Sequence, residues 1–248
     1  MYNSVTQNWH FKLSDTISPI LLAIGIFALK KVIELTTNKF TKGLKFQTEA
    51  ERKKLPDSIF CVLVYGGLWL WEAKIVFEYD FFMNPAGCFT NWSDERLKKT
   101  PPSVNWLYVT VLGFYFEELF SCVMISKFQG LLTSNAVHSD EKRKDTNVMI
   151  LHHICTIFLV TFSLGMRFWQ IGCLVLFCHD CCDVFLDLAK MFNYMQNRKD
   201  ISKMTSSLCE VCATIGFIAF VVSWIVFRFV FYPKKALWSV LYHRYGFV

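Results

Sequence analysis

The chain has 248 residues, 54% of them hydrophobic, with 25 phenylalanines and a formal net charge of +6. So much apolar surface, in long runs with few charges, excludes an ordinary soluble domain and points to a polytopic membrane protein. The positive charge sits mostly in the connections, where topology and anionic headgroups account for it, and no motif supports nucleic-acid binding.

The N-terminus, MYNSVTQNWHFKLSD, lacks a basic region leading directly into a short apolar core. No cleavable signal peptide is expected, and the first apolar run stays as a helix. Six spanning segments are predicted, over 17–36, 58–78, 104–126, 147–165, 168–190 and 208–232. The criterion is about 20 residues at a rise of about 1.5 Å each. The second segment holds Glu72 and Lys74, which at i, i+2 do not face each other. The third contains Glu117 and Glu118. A very short turn near 165–167 joins the fourth and fifth, which makes them antiparallel neighbours. The fold class is therefore all-α, a polytopic membrane helical bundle of about six transmembrane helices. An N-terminal helix and basic link (1–49) precede the main membrane domain (50–248). There is no internal repeat.

Lysine and arginine set the orientation. The connections 30–57, 127–146 and 191–207 carry eight, four and three of them, against eight on the opposite side. The first group is read as cytosolic and the N-terminus as lumenal. The sequon Asn91-Trp92-Ser93 falls in a predicted lumenal connection, in agreement. The ten cysteines are scattered, mostly inside apolar runs. Cys209 and Cys212 form a CxxC with no second pair to complete a zinc site.

The fifth segment, within LVLFCHDCCDVFLDLAKM, carries His179, Asp180, Asp183, Asp187 and Lys190. His153 lies about 18 Å of helix before Gly165, and His179 about 16 Å after Phe168. The hairpin is expected to bring His152 and His153 to the depth of His179. Asp183 and Asp187 continue the His179 face at successive turns, Asp180 is offset by about 100°, and Thr156 shares a face with His152. A charge at the bilayer centre costs roughly 2.5–3.5 kcal/mol on insertion scales, so such residues usually mark a pathway or site. The structural alternative is a hydrogen-bonded clasp worth about 1 kcal/mol per bond. Among functions, a metal site, a proton relay and acyl transfer all use these residue types. With a single HH pair and no repeated HxxxH cluster, no metal is assigned.

The stretches LHHICTIFLVTFS and IGCLVLFCHDCCDVFLDLAKMFNY resemble the Lag1 motif of ceramide synthases, within the TLC-domain family. Matching residues include His152, His153, Thr156, Ser163, Gly172, His179, Asp180, Asp183, Ala189, Lys190, Met191, Asn193 and Tyr194. Lys142-Arg143-Lys144-Asp145 resembles the KRKD that precedes the pair, and Arg228 with Phe231-Tyr232-Pro233 resembles the family's later arginine and YP ending. The specific part covers about 142–194. The chain has Leu164, Arg167, Gln170 and Asp187 where the pattern has Tyr, Asn, Arg and Glu.

The resemblance implies a TLC-type bundle, with the family's last helix lacking after Val248. It implies N-acylation in the endoplasmic-reticulum membrane, a fatty acyl group passing from acyl-CoA to the amine of a sphingoid base. Acyl-CoA is a co-substrate, no cofactor or metal is required, and a homo- or hetero-dimer is left open. His152, His153, His179, Asp180 and Asp183 match the family's catalytic motif, with a histidine as base or nucleophile. Lys142, Arg143 and Lys144 would attract the coenzyme phosphates, and Thr156 and Asp187 would bind substrate. The alternative is a non-catalytic TLC-domain protein that binds lipid, modulates membrane composition or assists translocation.

Overall fold

A computed structural model describes residues 14–85, 87–90, 100–132 and 139–243. Six long helices dominate: α1 (Ser14–Thr41), α2 (Glu49–Glu78), α4 (Pro102–Leu132), α5 (Ser139–Gly165), α6 (Trp169–Gln196) and α7 (Lys203–Trp224). Two short ones, α3 (Gly87–Thr90) and α8 (Trp238–His243), accompany them. Between α7 and α8 the chain runs as a π-helix, Ile225–Leu237. The chain is a membrane-embedded, all-α protein. Among the described residues, four stretches are long and apolar enough to cross a bilayer: Glu49–Glu78, Pro102–Met124, Thr146–Gly165 and Lys203–Leu237. The predicted segments 17–36 and 168–190 lie in α1 and α6, outside that set. The helix α6 carries Asp180, Asp183, Asp187 and Lys190 along its length.

Helix ends differ from the predicted ones because capping, not hydropathy, sets them. The connection expected over 30–57 shrinks to 42–48. Thr48 caps α2 with its side chain accepting from the Glu51 N–H at 3.2 Å, while the Glu51 carboxylate accepts from the Thr48 N–H at 3.1 Å. This reciprocal box starts the helix well before its apolar run. Likewise α5 begins at Ser139, so the backbone of Lys142, Arg143 and Lys144 is helical. Their side chains lie outside the described residues, as does Asn91.

The chain divides into two compact units, Met1–Ala28 with Lys99–Trp169, and Leu29–Lys98 with Gln170–Val248. In the first, α4 buries Val104, Leu107, Tyr108, Val111, Leu112 and Tyr115, an i, i+3, i+4 stripe, and packs along α5. Gly113 lets α1 approach closely, for a Cβ there would sit 3.1 Å from the Pro19 carbonyl oxygen. A cavity of about 400 Å³ between α1 and α4 is lined by Ile24, Phe27, Phe116, Phe120 and Glu117.

The end of α5 explains a residue the sequence reading had only flagged as unusual. The Phe168 N–H bonds the Ser163 carbonyl at 2.8 Å and the Arg167 N–H bonds the Leu164 carbonyl at 3.1 Å. That is a Schellman ending, with Arg167 at the left-handed position (φ 58°) that glycine or asparagine usually fills. Tyr108 ties the turn down: its hydroxyl lies 2.9 Å from Ser163 Oγ, which donates to the Phe168 carbonyl at 3.1 Å.

In the second unit the buried stripe of α2 includes Leu68, Glu72, Ile75 and Val76, so a carboxyl occupies a core position. Phe177 of α6 anchors an aromatic cluster, stacked on Trp69 at 5.8 Å and edge-on to Phe82 and Phe227. At one end, two connections clasp each other. The Gln47 N–H bonds the Asn197 carbonyl at 3.1 Å, the Lys199 N–H bonds the Lys45 carbonyl at 2.7 Å, and Phe46 bridges Arg198. Asn197 also donates to Glu51 at 2.8 Å. These are the first and fifth connections, which the alternation of six predicted spans places on one side.

Candidate functional site

The predicted site residues fall in both units. His152 and His153 belong to the first, and His179, Asp180, Asp183 and Asp187 to the second. Adjacent positions on α5 point the histidines differently, as helical geometry requires. His153 is buried at 2% exposure, its ring 5.8 Å from that of Tyr115, while His152 is exposed, with ring centroids 5.5 Å apart between the two. Thr156 shares the His152 face as expected. Its hydroxyl donates to the His152 backbone carbonyl at 2.9 Å, so it is engaged with its own helix.

The second unit gathers a denser polar group around α6. His179 Nδ1 lies 2.8 Å from the Val175 carbonyl oxygen. A carbonyl only accepts, so the proton is on Nδ1 and the imidazole lone pair is on Nε2. The ring meets Tyr232 edge-to-face at 5.0 Å. Arg228 reaches the same turn of α6: its Nη2 donates to the His179 carbonyl at 3.3 Å and to Asp183 Oδ2 at 3.5 Å. Both residues come from the π-helix. Such segments are rare and tend to mark functional sites. Here it contains Pro233, which has no N–H to donate, and the Trp238 N–H bonds the Pro233 carbonyl in i→i+5 register.

Asp180, offset around the helix as predicted, points elsewhere. It is 1% exposed and faces Glu72 of α2, itself fully buried. Asp187 is 7% exposed and pairs with Lys190 on its own helix at 2.8 Å. Among the described residues, no three His, Cys, Asp or Glu side chains are grouped as metal ligands.

The arrangement suits proton handling in a water-poor setting. An imidazole of fixed tautomer sits one residue from a buried carboxyl and one turn from an arginine-paired carboxylate. The sequence named Arg228 and Tyr232 as motif residues without giving them to the site, and Glu72 was noted only as not facing Lys74. A carboxyl in the stripe Leu68, Glu72, Ile75 was the available signal.

Comparison with known proteins agrees with this setting. The family model described as TLC domain matches residues 54–248. Ceramide synthase 1 of Homo sapiens is 28% identical over 89% of this chain and 59% of its own length. Ceramide synthase 1 of Mus musculus is 26% identical over 95% of the chain and 62% of its own. Ceramide synthase 1 LOH3 of Arabidopsis thaliana is 29% identical, over 79% and 56%. The chain thus spans about three-fifths of the length of these curated relatives.

Proposed function

The chain belongs to the TLC-domain family, and on that premise we propose that it is a ceramide synthase-like acyltransferase of the endoplasmic-reticulum membrane, with its N-terminus lumenal. It moves a fatty acyl group from acyl-CoA to the amine of a sphingoid base, giving ceramide or dihydroceramide. The observation that carries the reading is the setting of His179: a tautomer fixed by the Val175 carbonyl, among Asp180, Asp183 and Arg228, on a helix of a membrane-embedded protein.

The chemistry needs little else. A carbon–nitrogen bond forms, the carbon–sulfur bond of the thioester breaks, and the proton lost by the amine ends on the coenzyme A sulfur. A neutral imidazole accepts that proton or carries the acyl group transiently, and carboxylates orient it and balance its charge. His152 and His153 are the base or nucleophile candidates. His179, Asp180 and Asp183 orient and stabilise, and Lys142, Arg143 and Lys144 attract the coenzyme phosphates. Both substrates have long chains, which suits a bundle with an apolar exterior.

The test is expression in cells lacking endogenous ceramide synthase, supplied with a sphingoid base and a panel of acyl-CoAs, with ceramides read by mass spectrometry. Ceramide above background is expected, lost in the His152→Ala, His153→Ala double variant. Well-expressed, membrane-inserted protein that makes none would leave a non-catalytic lipid-binding role in its place.

A further inference from the structure

The clasp of connections in the second unit carries a charge pattern that acyl transfer does not use. The stretches 39–57 and 198–203 hold nine lysines and arginines against four acids, and three of those acids are already engaged. Glu49 pairs with Arg52 at 3.0 Å, and the Asp200 carboxylate accepts twice from Arg198, at 3.1 and 2.8 Å. Glu51 accepts from the Thr48 N–H and from Asn197. The antiparallel bridge of Phe46 with Arg198, and the Lys199 N–H on the Lys45 carbonyl, set Lys45 directly opposite Lys199. Side chains of opposite residues leave such a pairing on the same side, about 5 Å apart at Cβ. Both lysines are exposed, and among the described residues neither ammonium has a carboxylate at ion-pair distance. Like charges fixed opposite each other repel, and an anion between them removes that cost. A topological bias needs lysines on one side of a membrane, but it does not need two of them held face to face across two connections.

The clasp also lies where lipid headgroups are found. It joins the ends of α1 and α6 to the starts of α2 and α7, and two of the four stretches able to cross a bilayer begin there. Phe40 in the last turn of α1 and Met204 in the first turn of α7 are largely exposed, so apolar side chains border the lysines. We propose that Lys45 and Lys199 form a docking site for the phosphate of an anionic glycerophospholipid headgroup, with the lipid's acyl chains beside Phe40 and Met204. The two ammonium groups make the contact, since the Lys45 N–H is already donated to Asp200 at 3.3 Å. No covalent step is involved, and the site stands independently of the acyltransferase reading.

Native mass spectrometry of the purified protein, titrated in detergent with phosphatidylserine or phosphatidylcholine, is the test. A single phosphatidylserine is expected to be retained in preference to phosphatidylcholine, and no preference between the two overturns the proposal. Lys45→Gln with Lys199→Gln should weaken phosphatidylserine binding about thirtyfold, roughly fivefold for each lysine at a headgroup. Lys53→Gln with Lys54→Gln removes the same charge from the start of α2 and should change binding by about twofold or less. Equal losses in the two double variants would leave only a diffuse positive field and overturn the site. Inorganic phosphate in excess should not displace the lipid; full displacement would make this a site for soluble phosphate and overturn the lipid assignment. Without lipid, the Lys45→Gln, Lys199→Gln variant should unfold no earlier than wild type, because it relieves a repulsion. An earlier unfolding midpoint would give the two lysines a structural role and overturn the proposal.

Discussion

Two acids, one in each unit, are buried almost equally, yet one has a donor on its own helix and the other does not. Glu117 of α4 is 2% exposed and accepts a hydrogen bond from Ser121, one turn along the same helix, at 2.6 Å. Glu72 of α2 is fully buried and faces a carboxyl on another helix. A helix can supply an i+4 hydroxyl wherever its sequence allows, and the result is a local repair of a polar group in an apolar place. A buried carboxyl with no donor on its own helix depends instead on what the neighbouring helix presents to it. Burial alone therefore does not identify a working group, and the partner's location separates the two cases.

Breaking a cross-element contact should cost most. Arg228→Met removes the donor to the His179 carbonyl and the partner of Asp183. The expected loss is about 2 kcal/mol in thermal unfolding of detergent-solubilised protein, together with amide formation. Stability unchanged by this substitution would mean that the 3.5 Å ion pair carries nothing. Removing the local repair should cost less. Ser121→Ala is expected to lower stability by about 1 kcal/mol and leave acyl transfer at the wild-type rate. A matching drop in activity would show that Glu117 does more than accept a hydrogen bond within its own helix.

Arg167→Gly sharpens the contrast in the other direction, because here the local conformation itself is unfavourable. It relieves a left-handed arginine and should raise stability by about 1 kcal/mol, as the shift in unfolding midpoint would report. The smallest effect concerns the clasp of connections. Arg198 holds the Asp200 carboxyl below its usual range through paired hydrogen bonds. A depressed carboxylate contributes its stabilisation above the unfolded-state pKa and loses it as pH falls through the folded one. Amide exchange of Lys45 and Lys199 should therefore accelerate only under acid conditions, below the ordinary aspartate range. Exchange that is flat with pH would detach Asp200 from the clasp.

Much of this architecture could be read before any coordinates. Long apolar runs marked the four stretches able to span a bilayer, and the alternation of spans paired the connections around Lys45 and Lys199. The spacing in LVLFCHDCCDVFLDLAKM separated Asp180 from the His179–Asp183 face, the face that Arg228 reaches. The helix starts were readable too, since Thr48-Glu49-Ala50-Glu51 is a capping box, but an apolar-run criterion passes over it. Other features were not legible in principle. The π-helix depends on hydrogen-bond register that no residue in IVFRFVFYPKKAL specifies by itself. The Glu72–Asp180 pairing depends on which faces of α2 and α6 meet, which is decided by packing across about a hundred residues of chain.

The central proposal is that this chain transfers an acyl group to an amine with histidine and carboxylate side chains at its site. The most direct measurement is a reconstitution of the purified protein in lipid vesicles with a sphingoid base and acyl-CoA, following amide and free coenzyme A thiol together. Equal amounts of the two, both lost in His179→Ala, are the expected result. Thiol released without amide, or neither product from correctly inserted protein, would contradict it.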